Sequence, residues 1–99
     1  MVWEDSETIT RRDDWVDTHF SVNNTGDALF LRVEGRASLD FAEVHFRDGQ
    51  VQVVDFNERA TEAGTFALLD FRDGRFVQGV RIVARARSPR AVLTVLMKK

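Results

Sequence analysis

The sequence predicts an all-β protein, an antiparallel two-sheet β-sandwich of about eight short strands, with a small β-barrel as the alternative. Three observations point there. Apolar and polar residues alternate with period two from Trp15 onward, the mark of half-buried strands. Clusters of Gly, Asn, Asp and Pro interrupt that alternation at the spacing of an all-β domain, about every ten residues. The stretches between strands are also too short for the crossovers of roughly a dozen residues that parallel strands need.

A weak first strand is expected near Thr8 to Arg11. In "WVDTHFSV", Val16, Thr18, Phe20 and Val22 share one face, and Trp15, Asp17, His19 and Ser21 the other. The cluster "NNTGD", Asn23 to Asp27, reads as a turn because Asn and Gly supply positive φ. Leu29, Leu31 and Val33 then alternate with Phe30, Arg32 and Glu34 up to Gly35. Between Ser38 and Arg47 the apolar parity flips at Ala42–Glu43, and in the next strand it flips from Val51 and Val53 to Val54 and Phe56. Such a flip implies a bulge or a bend between sheets. "NERATEAG", Asn57 to Gly64, is read as a long connection with room for a helical turn, Asp55 and Glu58 having capping-box spacing. "TFALLDF" is an apolar strand. In "RFVQGVRIVARAR", Phe76, Val80, Ile82, Ala84 and Ala86 are placed inward against Val77, Gly79, Arg81, Val83, Arg85 and Arg87. After the turn Ser88-Pro89-Arg90, "AVLTVLM" closes the chain.

Ninety-nine residues make one domain, 1–99, because a chain near the lower end of the usual 100–150 or so supports one core. Fourteen basic residues face sixteen acidic ones, a net charge of -2, so no global field draws nucleic acid or anionic lipid. Every basic residue except Lys98 and Lys99 is arginine. No apolar run approaches the roughly 18 residues of a membrane-spanning helix, so membrane insertion is not expected. The N-terminal "MVWEDSETITRR" is charged and unlike a signal peptide. The expected compartment is periplasmic or extracellular if a signal peptide was removed, and cytoplasmic otherwise. The absence of cysteine excludes disulfides and thiolate metal sites.

Four features invite a chemical reading. The segments "VHFRDGQV" and "LDFRDGRF" both contain Phe-Arg-Asp-Gly. Asp-Gly is a strong signal for a two-residue type I′ hairpin, so Asp48-Gly49 and Asp73-Gly74 are read as two hairpin turns, with Phe46 facing Val51 and Phe71 facing Phe76. A calcium loop needs more oxygen ligands than Asp70 and Asp73 offer. Second, Asp17 and His19 share a strand face, and His45 is the other histidine. A carboxylate and an imidazole can hold a metal or move protons, but two ligands are fewer than a stable metal site uses. Third, Arg81, Arg85 and Arg87 form a row on an outer face, suited to an anionic ligand or to cross-strand pairing with acids. Fourth, Trp3, Trp15 and Phe30 have exposed parity, and tryptophan on a sheet face suits stacking on a sugar ring; at least one tryptophan is expected in the core or under the N-terminal segment. No Gly-rich phosphate loop and no G-x-S-x-G is present.

From about Trp3 to Met97 the order of signals resembles a bacterial family of unknown function made of short, often exported β-rich proteins. The matching pieces are the acidic stretch Asp13 to Asp17, then Gly26 and Gly35, then the hairpin "VHFRDGQVQ" from Val44 to Gln52. They continue with Gly64, "DFRDGRFVQGV" from Asp70 to Val80, and "RAVLTV" from Arg90 to Val95. Phe71 stands where the family has Leu. The resemblance implies a β-sandwich and an envelope location, and it brings no catalytic residues.

The function expected is therefore that of a small non-catalytic binding or structural module acting through a sheet face or edge, on a protein partner or as a homo-oligomer. No cofactor and no metal are expected. The first alternative is a small-ligand or carbohydrate-binding domain drawing on Trp15, Asp17, His19, His45, Arg81, Arg85 and Arg87. The second is a hydrolase using His19 and Asp17, for which a concave site near His19 is the discriminating feature.

Overall fold

The alternation read from the sequence builds strands, but fewer and longer ones than expected. The computed structural model describes residues 2–99. It contains β1 (Trp3–Thr10), a 3-10 turn (Arg11–Asp13), β2 (Trp15–Glu34), β3 (Ala37–Phe46), β4 (Val51–Thr61), β5 (Gly64–Ala86) and β6 (Arg90–Lys98). They form one antiparallel sheet in the order β1-β6-β2-β5-β3-β4. The sheet is not closed: β1 and β4 are its edges.

The count of eight falls to six because β2 and β5 each absorb two expected strands. Asn23 to Asp27 is not a turn but an irregular stretch of β2, with register shifts between Ser21 and Asn24 and between Gly26 and Ala28. Asn23 takes a positive φ of 48° there, which Asn tolerates better than most residues. Asp73-Gly74 is likewise no hairpin: β5 runs through it, with Arg72 and Gly74 at positive φ of 49° and 64°. Phe71 and Phe76 therefore lie along one strand instead of facing each other. Gly26 is needed for close approach, since a Cβ there would sit 2.5 Å from Met97 Cγ and 2.9 Å from the Lys98 carbonyl oxygen.

β2 and β5 stay paired through their irregularities while their other neighbours change. Residues 15–26 of β2 pair with 75–85 of β5, whose far side carries β3 and then β4. Residues 28–33 of β2 pair with 64–70 of β5, and here the far side of β2 carries β6 and then β1. The inward side chains of both halves belong to one core, including Ile9, Phe20, Leu31, Val44, Ile82 and Val95. The expected inward positions Thr18, Phe20, Val22, Leu29, Leu31 and Val33 are buried.

Parity flips occur, but displaced. In β3 the register slips between Leu39 and Phe41, so Leu39 and Ala42 are both buried and Phe41 turns outward beneath the Arg81 guanidinium at 5.2 Å. No flip occurs between Val53 and Val54: the β3–β4 register is unbroken from Val51 to Asp55, leaving Val51 and Val53 exposed on one face. In β5 the inward residues are Val77 and Val80, so Phe76 is not part of the buried core. The helical turn expected after Asn57 is absent, because β4 continues to Thr61 with Asn57 and Glu58 in the left-handed region. Asp55 Oδ1 accepts from the Asn57 amide at 2.8 Å. The capping geometry lies elsewhere, where Thr10 donates both its backbone N–H and its hydroxyl to Asp13 Oδ2.

Candidate functional site

Strand register assembles the site. On the outer face of β2, β5 and β3, His19 lies opposite Arg81, which lies opposite Glu43. One step along, Ser21 lies opposite Gly79, which lies opposite His45. From its place beside His19, Arg81 reaches diagonally to Asp17, a spacing that long side chains span easily. Its Nε and Nη2 donate to the two carboxylate oxygens of Asp17 at 2.8 Å each. Its Nη1 lies 3.3 Å from Glu43 Oε1. Each carboxylate also meets the histidine two residues along its own strand: His19 Nε2 is 3.2 Å from Asp17 Oδ1, and His45 Nε2 is 3.2 Å from Glu43 Oε1. The result is a continuous chain, His19–Asp17–Arg81–Glu43–His45, across three strands.

Arg81 sets the electrostatics of this chain. Its hydrogen bonds hold the Asp17 carboxyl below the usual range against partial desolvation, with the charges of Arg81 and His19 adding to the effect. Desolvation is the largest single influence on Glu43 and raises it, yet the hydrogen bonds and charges of Arg81 and His45 together outweigh it and the carboxyl lies low. Hydrogen bonds to Asp17 and then Glu43 raise the Arg81 guanidinium in turn. Arg81 thus ties Asp17 and Glu43 together, with His45 hydrogen-bonded to Glu43 and the largely exposed His19 beside Asp17.

Gly79 gives the site its shape. With no side chain between Ser21 and His45, a depression of about 360 Å³ opens over the strand, lined by His19, Ser21, Glu43, His45, Gly79 and Arg81 among others. The two histidines approach from opposite sides on β2 and β3. Ser21, Glu43 and Gly79 were absent from the candidates read from the sequence. Ser21 and Gly79 each carried a local signal, shared parity with His19 and with Arg81 respectively, whereas Glu43 carried none.

The other candidates lie along the same face. Trp15 pairs with Arg85 and is 37% exposed, with the Arg85 guanidinium 5.9 Å from its ring. Arg85 Nη1 lies 3.4 Å from Asp14 Oδ1, and Arg87 Nη1 donates to Ser38 Oγ. The arginine row is therefore engaged in cross-strand contacts instead of standing free for an anion. Trp3 packs against the core, and Phe30 lies beneath the Lys98 ammonium at 4.8 Å. Among the described residues no cluster of three or more His, Asp or Glu side chains is arranged to hold a metal ion, and no helix is long and apolar enough to cross a membrane. A separate cavity of about 370 Å³ lies between the end of β4 and the start of β5, walled by Leu39, Phe56, Phe66 and Thr61.

No protein-family model matches the chain, and no curated protein matches it. Among solved structures it is similar to AlgX of Pseudomonas aeruginosa, with a TM-score of 0.50 and 9% identity over 95% of this chain and 26% of that one. A family two carbohydrate esterase from Cellvibrio japonicus aligns with a TM-score of 0.24 and 11% identity, covering 98% of this chain and 35% of the esterase. The chain thus spans about a quarter to a third of the length of these proteins. The likeness to AlgX is one of fold.

Proposed function

We propose that the protein is a non-catalytic binding module whose ligand lies across the outer face of β2, β5 and β3, and that the ligand is a hydroxyl-rich molecule of the carbohydrate class. The observation that carries this reading is the His19–Asp17–Arg81–Glu43–His45 chain bordering the depression over Gly79. Carboxylates and an imidazole held in this way offer acceptors and donors at set positions, which suits hydroxyl groups whose directions are themselves fixed by a ring. Trp15 lies on the same strand face, six residues from Ser21, or about 20 Å along an extended strand. That length suits an elongated ligand stacked on the indole at one end and seated in the depression at the other.

The hydrolase reading of His19 and Asp17 is less well supported, because Asp17 is held by two bonds from Arg81 and so is not reserved for the imidazole. The resemblance to short exported β-rich bacterial proteins belongs to the same proposal and would place such a ligand at the cell envelope.

The test is a glycan array followed by calorimetry and amide-shift mapping on any hit. The expected result is binding that maps to His19, Ser21, His45 and Gly79 and weakens roughly tenfold or more in Trp15→Ala, the loss of about 1.4 kcal/mol or more. The absence of any hit on a broad array, or shifts confined to the Leu39–Phe56 cavity, would overturn it.

A further inference from the structure

The two copies of Phe-Arg-Asp-Gly, unused by the site above, meet at one end of the sheet. Phe46 and Phe71 pack edge to face, their ring centroids 5.8 Å apart at 87°. The β3–β4 hairpin and the irregular part of β5 then exchange arginines. The Arg47 guanidinium lies over the Phe76 ring at 3.6 Å, and that of Arg75 over the Phe46 ring at 3.5 Å. The Arg47 amide donates to the Phe76 carbonyl at 3.3 Å, tying the two segments together beside the stacks. Phe46, Arg47, Asp48, Arg75 and Phe76 line a depression of about 270 Å³.

The two arginines differ in how far they are satisfied. Arg75 Nη2 donates to Gln50 Oε1 at 2.7 Å and lies 3.6 Å from Asp48 Oδ2. Arg47 is exposed and, among the described residues, takes part in no ion pair. Stacking covers one face of its planar fork and limits its motion while leaving the N–H edge for an acceptor. Asp48 opposes an anion here, but two guanidiniums against one carboxylate leave the depression with one net positive charge.

We infer that this end of the molecule binds a small oxyanion, the carboxylate or phosphate group of a ligand, with Arg47 as its main contact and Arg75 as the second charge. A stacked guanidinium takes such a group through two parallel N–H donors, the geometry that suits planar or tetrahedral oxyanions. Phe-Arg-Asp-Gly thereby acquires a use beyond shaping the chain: the first copy supplies Arg47 and the ring beneath Arg75, and the sequence after the second copy supplies Arg75 and the ring beneath Arg47.

The test is a pair of NMR titrations of the whole chain, one with inorganic phosphate and one with acetate, each at constant ionic strength set with sodium chloride. Expected are saturable shifts at the Nε–H groups of Arg47 and Arg75 and at the Gly49 amide. Arg47→Gln should weaken the interaction about tenfold or more, the usual consequence of losing a charge-assisted bond, and Arg72→Gln should leave it intact. Saturation by phosphate alone supports a phosphoryl ligand, and saturation by acetate alone supports a carboxylate. Unsaturated shifts with both anions, undiminished binding in Arg47→Gln, or equal loss in Arg72→Gln would overturn the inference.

Discussion

Arg81 and Asp17 meet in a two-pronged bond across β2 and β5, both contacts at 2.8 Å, and this bond makes part of the fold's stability depend on pH. Asp17 and Glu43 have pKa values lower in the folded chain than the ordinary 3.8 and 4.5. Between the folded and unfolded values the unfolded chain binds more protons, so their contribution is complete above about pH 4.5 and is lost as pH falls through the folded values. Arg81→Gln should therefore be less stable than the parent at pH 7, and the difference should shrink below pH 4. Urea denaturation at a series of pH values measures this. A difference that stays constant to pH 3 would assign the role of Arg81 to its packing over Phe41.

Two glycines at positive φ separate backbone strain from collision. Gly35 has a φ of 83°, and a Cβ there would lie 2.7 Å from the Arg90 carbonyl oxygen and 2.9 Å from Ser88 Oγ. Gly49 has a φ of 90°, but a Cβ there would meet nothing within 4 Å. Gly49→Ala should cost about 1 kcal/mol, the price of the conformation alone. Gly35→Ala should cost roughly 3 kcal/mol or more, since backbone strain and overlap add. Equal losses in equilibrium unfolding would contradict this account.

How far the fold was legible follows from which interactions are local. Alternation placed Phe20, Leu31 and Ile82 inward correctly because strand parity is a property of consecutive residues. It missed the continuity of β2 and β5 because Asn23, Gly26 and Gly74 supply the same positive-φ or side-chain-free positions to a hairpin and to a bulge. Which one forms depends on the partner strand, which is distant in sequence. At Asp48-Gly49 a hairpin does form, but only Gly49 has positive φ and the Gly49 amide donates to the Phe46 carbonyl. That is the pattern of a longer loop instead of a two-residue type I′ turn. The site was half legible for the same reason: Asp17 with His19 is a local pair, whereas the part played by Glu43 and Gly79 depends on the β3–β5 register.

The close approach of the end of β6 to Gly26 of β2 gives a prediction about coupling. Gly26→Ala drives a methyl group against Met97 Cγ and Sδ, at 2.5 and 2.7 Å, and against the Lys98 carbonyl oxygen. Overpacking of this kind costs about 1–3 kcal/mol. Met97 is fully buried, so Met97→Ala alone should cost about 2–5 kcal/mol through the cavity it leaves. The double variant should be more stable than the sum of the two losses predicts, by roughly 0.5 kcal/mol or more, because the shorter side chain removes part of the overlap. Additive losses in chemical denaturation would place the main collision at the Lys98 backbone.

The edge-to-face pair of Phe46 and Phe71 lets the joining of the two Phe-Arg-Asp-Gly segments be measured directly. Phe46 is 2% exposed, while Phe71 packs against the core from its margin. Phe71→Leu keeps an apolar side chain there but loses the ring-to-ring contact, an effect of about 0.5–1.5 kcal/mol beyond simple burial. Phe46→Leu should cost more, because it also removes the surface on which the Arg75 guanidinium rests. In a double-mutant cycle the coupling between the two positions should be about 0.5–1.5 kcal/mol. It should persist when Arg75 is replaced by Gln, because the ring contact does not involve the guanidinium. If the coupling vanished with Arg75→Gln, the arginine stack would be what holds the β3–β4 hairpin against β5, and the aromatic pair would follow from it.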